Sequence, residues 1–331
     1  MASRWRCWRP SGDGCTRCAS TAACRPPSPR RPSVRAGFVA LVGRPNVGKS
    51  TLLNRLVGTK LAIVSDKPQT TRTRIVGVRN YPDAQAVFLD TPGIHRPTHR
   101  MNVRMVDAAV EGIRQADVVA VLAEATDRRA GRGETHVLDR LAGLEAPVVL
   151  VLNKVDLVPR PSLLPLIDAW RGRRAFAEIV PVSAATGENV DRLERVFVGL
   201  LPEGEPLYPT DYLTEQPERF FVAETVREKV LESTRAELPF STAVVVDRFE
   251  EPDERGVMRL YCTILVERES QKPILIGRGG EVVKRIGSAA RVELERFFEA
   301  RVYLDLRVKV RADWREDSRL LDEMGLTGRE G

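Results

Sequence analysis

No apolar run in the 331-residue sequence reaches the roughly 20 positions that carry a helix across a bilayer, so an integral helical membrane protein is not expected. An apolar segment of secretory type is also missing, which argues against export. Cysteine is scarce: of five, Cys7, Cys15, Cys18 and Cys24 crowd into the first 35 residues, and only Cys262 remains for the body. A body with one thiol is not built on disulfides and reads as a protein of a reducing, cytoplasmic compartment. Acids are nearly missing from the same 35 residues, which hold eight Arg against Asp13 alone, a surplus equal to the net charge of +7 of the whole chain. The remainder is thus neutral overall, and bulk charge gives no support for nucleic-acid binding.

Residues 1–35, rich in Arg, Pro and Ser, are expected to form a disordered tail or to reflect a start site placed too far upstream; an organelle transit peptide is the other reading. Cys15 and Cys18 have C-x-x-C spacing, but with the flanking pair they fit no common zinc framework. The chain has an ordinary globular composition, 43% hydrophobic and 29% charged over its whole length, and beyond the tail it is long enough for two domains.

Within residues 36–200, short apolar runs at 38–42, 86–89, 117–122, 148–152 and 179–182 alternate with longer amphipathic segments. Such runs suit strands buried on both faces, and the alternation predicts an α/β domain with a mostly parallel sheet and helices on both faces. Residues 73–79 alternate and are followed by Tyr81-Pro82-Asp83-Ala84, which predicts an added strand turning back as a hairpin. Pro202, Gly204, Pro206, Pro209 and Pro217 mark 201–217 as a linker. Beyond it, helices at 218–233 and 281–298 and strands at 243–249, 258–267 and 302–310 predict a smaller α+β domain over 218–325, with 326–331 as a C-terminal tail.

Gly43-Arg44-Pro45-Asn46-Val47-Gly48-Lys49-Ser50 matches G-x-x-x-x-G-K-S between a predicted strand and a predicted helix, the context a phosphate-binding loop requires. Its glycines let backbone N–H groups close around phosphates, Lys49 reaches the terminal oxygens, and Ser50 is placed to ligate Mg²⁺, with Thr51 as a further nucleotide contact. Asp90-Thr91-Pro92-Gly93 ends a predicted strand beside that loop, where Asp90 can hold the Mg²⁺ shell and Gly93 can offer its N–H to a γ-phosphate.

Asn153-Lys154-Val155-Asp156 selects the base. Asp156 can accept from both the ring N–H and the exocyclic amine of guanine, a donor pair that adenine lacks. Ser183-Ala184, after the last predicted strand, is expected to supply a backbone contact to the guanine oxygen. In Gln69-Thr70-Thr71-Arg72-Thr73, Thr71 is the candidate for a threonine that ligates Mg²⁺ only in the GTP state, with Thr70 as the alternative. Lys49, Thr71, Asp90 and Gly93 are therefore the candidate catalytic group.

With these segments located, the chain resembles the bacterial Era GTPase family over 36–325. The phrases that carry the resemblance are GRPNVGKSTLLNRLVG, SDKPQTTRTRIVGV, FLDTPGIH, VLNKVDLV and SAATGENV, then ERESQKPILIGRGGEVVKRIGSAAR and VYLDLRVKVRADWR. The resemblance implies a GTPase domain followed by a type II KH domain, with GTP or GDP and Mg²⁺ as cofactors. It also implies binding of single-stranded RNA near the 3′ end of small-subunit ribosomal RNA, in assembly of the 30S-type subunit. Gly277-Arg278-Gly279-Gly280 looks like the G-x-x-G loop that lets a nucleic-acid backbone approach, with Lys284 and Arg285 on the following helix. From Lys272 to Arg291 five basic residues stand against Glu281 alone. Arg278 replaces a lysine common in the family, which keeps the charge and changes its shape.

Ile94 follows Gly93 where many GTPases carry a water-orienting Gln, so slow unassisted hydrolysis is expected. The family's remedy implies a K⁺ ion near the phosphates with Asn46 as its side-chain ligand. The resemblance further implies a cytoplasmic monomer, peripheral contact with the inner face of the cell membrane, and no DNA partner. Two other functional classes are a GTPase read out by a protein or membrane partner, and a small-molecule kinase. The guanine-selecting motif and the lack of a second substrate pattern disfavour the kinase.

Overall fold

The computed structural model describes residues 34–67, 69–94, 98–127, 134–234 and 238–326, with Pro239 placed by its backbone alone. The expectation of a disordered or misassigned tail for residues 1–33, and the disfavoured zinc site at Cys15 and Cys18, lie outside the described residues, as do residues 327–331 of the predicted tail.

The first domain runs β1 (Val34–Gly43), α1 (Lys49–Val57), β2 (Ile75–Asn80), β3 (Ala84–Asp90), α2 (Arg100–Gln115), β4 (Val118–Glu124), α3 (Thr135–Arg140), β5 (Val148–Asn153), α4 (Leu163–Arg171), β6 (Glu178–Pro181), α5 (Val190–Leu200) and the two-residue β7 (Glu203–Gly204). Its sheet has the order β2-β3-β1-β4-β5-β6, with β7 against the start of β1. The central pairs are parallel, whereas β2 runs antiparallel to β3 from Ile75 opposite Asp90 to Asn80 opposite Gln85, as the turn at 81–83 predicts. A small buried cluster of Val76, Val78, Val87 and Leu89 lies on β2 and β3, and one large cluster covers each face of the sheet. Of the two large clusters, Leu52, Leu56, Phe88 and Phe197 lie in one and Val42, Ile113, Leu150 and Trp170 in the other, so strands with two apolar faces end up between two helical layers. The nucleotide-binding candidates then fall at the carboxyl ends of β1, β3, β5 and β6 and on the first turn of α1, while Thr71 comes from the segment between α1 and β2.

Two boundaries differ from expectation. Val34 and Arg35, assigned to the tail, belong to β1, where Arg35 pairs with Glu203 in the ladder and its guanidinium donates to the Gly199 carbonyl at 2.6 Å. The linker, in turn, is bound along the open edge of β2. Val78 N–H donates to the Leu213 carbonyl at 2.8 Å, the Thr214 hydroxyl to Val76 at 2.6 Å, and Gln216 to Arg74 at 2.8 Å. Prolines that cannot join a ladder suit a strap whose few donors meet the exposed edge of a sheet.

The second domain contains α6 (Glu218–Ser233), β8 (Ala243–Glu250), β9 (Val257–Val266), α7 (Lys272–Ile276), α8 (Glu281–Phe298), β10 (Arg301–Val310) and α9 (Ser318–Glu323). Its sheet has the order β10-β9-β8; β10 lies parallel to β9, and β8 antiparallel with an irregularity between Val246 and Arg248. Val222, Val226 and Val230 of α6 and Ile286, Ala290 and Leu294 of α8 recur at helical spacing and close the core over one sheet face. The domains are docked through a further apolar cluster, in which Met101 and Met105 of α2 meet Ala243, Leu265, Trp314, Leu320 and Leu321. Arg72 of the first domain is buried in the same region, its guanidinium carbon 5.6 Å from the Trp314 ring centroid, and burial lowers its pKa to about 9.

Candidate nucleotide site and the neighbouring basic groove

Between β1 and α1 the backbone turns through positive φ at Gly43, Asn46 and Gly48. At Gly48, φ is +96° and a Cβ would lie 2.2 Å from Asn153 Nδ2, so no other residue fits there. The turn wraps a cavity of about 400 Å³ lined by Pro45, Asn46, Gly48, Lys49, Ser50 and Thr51 of the loop, by residues 63–66 and 69–71, and by Gly93 and Lys154. Lys49 is buried, and its ammonium donates to the carbonyls of Gly43 (3.2 Å) and Arg44 (2.9 Å), which fold it back along the loop.

Three oxygens converge beside it. Ser50 Oγ lies 2.7 Å from Thr71 Oγ1 and donates to Asp90 Oδ2 at 2.7 Å, and Thr71 Oγ1 is 3.4 Å from the same carboxylate oxygen. The other oxygen, Asp90 Oδ1, is buried without a hydrogen-bond partner. Burial raises the Asp90 pKa to about 6, against the nearby Lys49 charge and the two hydroxyls; burial likewise lowers Lys49 to about 8, against Asp90. An orphaned buried carboxylate oxygen beside two hydroxyls suits a hard divalent cation, and a buried ammonium at a helix start suits phosphate. Ser50, Thr71 and Asp90 are the residues that would hold Mg²⁺, which supplies charge neutralisation on phosphate oxygens when bound. Thr70 is turned elsewhere: its hydroxyl donates to the Lys67 carbonyl at 2.6 Å.

Several sequence candidates can contribute only through backbone. Arg44 is drawn into ion pairs with Glu134 at 2.6 Å and Asp127 at 3.2 Å, Val47 is in the core, and Thr91 donates its hydroxyl to the Leu41 carbonyl at 2.8 Å. Pro92 is buried beside them, and Gly93 abuts Pro45, whose ring a Cβ would approach to 2.7 Å. Ile94 is packed into the core with Val42 and Ala109, so that position presents no group to a water molecule.

The base-selecting residues are more dispersed than the phosphate group. Asn153 is a tie: its Nδ2 donates to the Val47 carbonyl at 2.8 Å and its Oδ1 accepts from Ala184 N–H at 2.9 Å. Lys154 takes a left-handed φ of 67° and pairs with Glu124 at the cavity wall. Asp156 is exposed and lines a separate depression with Val155, Val158, Glu188 and Asn189 instead of the phosphate cavity. The Ser183 and Ala184 amides, expected to meet the guanine oxygen, are engaged by the Glu188 carbonyl (3.0 Å) and Asn153. For Ala184 to serve a base it must share its hydrogen with, or release it from, Asn153.

In the second domain, Gly277, Gly279 and Gly280 all have positive φ, which lets α7 break and α8 begin within four residues. A second cavity of about 400 Å³ lies between α8 and β10, lined by Lys284, Gly287, Ser288 and Arg291 at helical spacing and by Arg301 and the half-exposed Tyr303 from the strand. Arg285, named with Lys284 from sequence, falls outside its lining. Arg301 and Tyr303 escaped sequence reasoning because nothing in a strand's alternation says that an edge will border a helix's basic stripe.

The family models that match are "50S ribosome-binding GTPase" over residues 38–154 and "KH domain" over 237–315. The GTPase Era of Geobacter metallireducens is 52% identical over 293 residues, covering 88% of this chain and 98% of its own length. This chain belongs to the Era GTPase family. Similarity to solved members of the family is equally complete. The crystal structure of a single-site variant of Aquifex aeolicus Era bound to GDP·AlF₄⁻ superposes with a TM-score of 0.85 at 43% identity, covering 89% of this chain and all of that one. A crystal structure of Era in complex with MgGDPNP and nucleotides 1506–1542 of 16S ribosomal RNA gives 0.86 at 42% identity and the same coverage. Era membership makes the chain a GTP-hydrolysing enzyme with a KH domain.

Proposed function

We propose that the chain is a GTP-controlled assembly factor that grips single-stranded RNA near the 3′ end of small-subunit ribosomal RNA in the groove between α8 and β10. The observation that carries this reading is the groove itself: Lys284, Arg291 and Arg301 converge on it and Tyr303 stands half exposed at its wall. Cations track a sugar–phosphate backbone, and an aromatic face stacks an unpaired base. The solved relative that carries 16S ribosomal RNA supports the choice of RNA. Gly277, Arg278, Gly279 and Gly280 are assigned to the backbone contact, and Arg285 to a flanking one. Binding a labelled 3′ fragment of small-subunit RNA tests it: Arg291→Ala and Tyr303→Ala should each weaken binding, by about 1–3 kcal/mol for the stacked base. Undiminished binding by the double variant would refute the groove.

In the first domain, Gly43, Pro45, Asn46, Gly48, Lys49, Ser50 and Thr51 hold the phosphates, Ser50, Thr71 and Asp90 the Mg²⁺, and Asp156 the guanine. With no polar side chain at Ile94, unassisted hydrolysis is slow, on the order of intrinsic Ras-type turnover. K⁺ stimulation through Asn46 belongs to the same reading. Asn46 lines the phosphate cavity and fixes its own orientation by donating Nδ2 to the Asp66 carbonyl at 2.7 Å, which leaves Oδ1 as the ligand atom. Equal turnover in Na⁺ and K⁺ would refute it. The reading takes the protein as a cytoplasmic monomer whose contact with the cell membrane is peripheral. Among the described residues no helix is long and apolar enough to cross a membrane. Vesicle flotation of the purified protein tests the membrane contact.

A further inference from the structure

We propose that Arg227, aimed by Glu224 on the first helix of the KH domain, is a positioning residue for Thr71 and through it for hydrolysis of the bound triphosphate. The inference rests on the assignment of Thr71 to the Mg²⁺ of the GTP state. Arg227 is 2% exposed, and its contacts cross the domain boundary. Its Nε and Nη2 donate to the two carboxylate oxygens of Glu224 at 2.7 and 2.6 Å, a fork that fixes the guanidinium plane. Nη2 also donates to the Thr70 carbonyl. That carbonyl belongs to the same planar peptide unit as the Thr71 nitrogen, so holding it fixes the plane from which Thr71 projects.

The next residue is held from the same side. Arg72 is buried, and its Nη1 donates to the Thr242 carbonyl of the KH domain at 2.8 Å. Upstream, the Glu228 carboxylate accepts from Val64 N–H at 3.0 Å and from Lys60 at 2.6 Å. Thr71 therefore sits in a segment clamped at 64, 70 and 72 by the second domain, while the first domain holds it through Asn46 on Asp66 and Ser50 on Thr71 itself. Neighbouring residues of one helix, Arg227 and Glu228, thus grip both ends of the stretch that closes the phosphate cavity.

A hydroxyl needed only when the triphosphate is bound leaves a specific kinetic mark. In the full-length protein, Arg227→Met should lower kcat for GTP by about 10- to 100-fold, the cost of a small misplacement at a reacting centre, with KM for GTP and the affinity for GDP unchanged. Hydrogen exchange in the nucleotide-free protein should rise for residues 69–73 and stay unchanged for β8. Glu224→Gln, a milder change at a less buried side chain, should show the same pattern with a smaller loss. Because Arg227 acts through Thr71, the double variant Arg227→Met/Thr71→Ala should be no slower than Thr71→Ala alone. A folded Arg227→Met that hydrolyses GTP at the parent rate while Thr71→Ala does not would overturn the inference alone, as would losses that add in the double variant. Parent-rate hydrolysis by Thr71→Ala would overturn the underlying assignment and the inference with it.

Discussion

Asn153 reads from sequence as part of a base-selecting motif, yet its two hydrogen bonds lie inside the protein. Replacing it with Ala would leave the Val47 carbonyl without its 2.8 Å donor and the Ala184 N–H without its 2.9 Å acceptor, at a site where Asn153 is 2% exposed. Each buried polar group left without a partner costs about 1–3 kcal/mol, which gives about 2–6 kcal/mol before any relaxation. For a domain of this size about 1 kcal/mol corresponds to 2–4 °C, so the nucleotide-free protein should melt roughly 5–20 °C lower. Differential scanning calorimetry without nucleotide isolates this effect from ligand binding. Asn153→Asp separates the two bonds, since it keeps an acceptor for Ala184 but sets a carboxylate against the Val47 carbonyl. A nucleotide-free Asn153→Ala that melts with the parent while losing GTP affinity would refute the tie and make Asn153 a base contact alone.

Three more substitutions probe the same geometry. On the proposed assignment of Asp156 to the base, Asp156→Asn trades one of two carboxylate acceptors for a donor; GTP affinity should drop by about 10⁴-fold and xanthosine triphosphate, whose 2-oxygen accepts, should bind better than GTP, as read by fluorescent-nucleotide displacement. Gly93→Ala would bring a methyl group to 2.7 Å from the Pro45 ring, so kcat should fall as the loops separate, while affinity for GDP, which has no γ-phosphate to meet Gly93, should hold. Trp314→Ala empties a fully buried site at the domain junction, breaks the 3.0 Å bond to the Ser241 carbonyl and removes the ring facing Arg72. It should cost about 3–5 kcal/mol and expose the junction to hydrogen exchange.

The phosphate half of the site was legible because its chemistry is local. Eight consecutive residues make the loop, and the β3 carboxylate needs only to end a strand beside it. Strands with two apolar faces likewise announced a covered sheet, and the paired runs around 81–83 announced the β2–β3 hairpin. What escaped reading depends on partners far apart in the chain. Lys60 with Glu228, Arg227 with Thr70, and Met101 and Met105 with Trp314 join positions more than 150 residues apart, and no periodicity marks them. A proline-rich stretch that reads as a free linker became a strap because the exposed edge of β2 needed partners. The short α7 and α9 carry too few turns for an apolar stripe to stand out. Lys284 and Arg285 looked equivalent on a basic helix, and the groove divides them only because β10 borders one side of α8.

Isothermal titration of the purified protein with GTP and with ATP, each with Mg²⁺, bears most directly on the proposed assignment of Lys49, Ser50 and Asp90 to the Mg²⁺-triphosphate and of Asp156 to the base. Saturable binding of GTP, lost on Asp156→Ala, with no detectable heat from ATP at the same concentration, is the predicted result. Comparable affinity for ATP, or GTP binding that survives Asp156→Ala undiminished, would contradict the account.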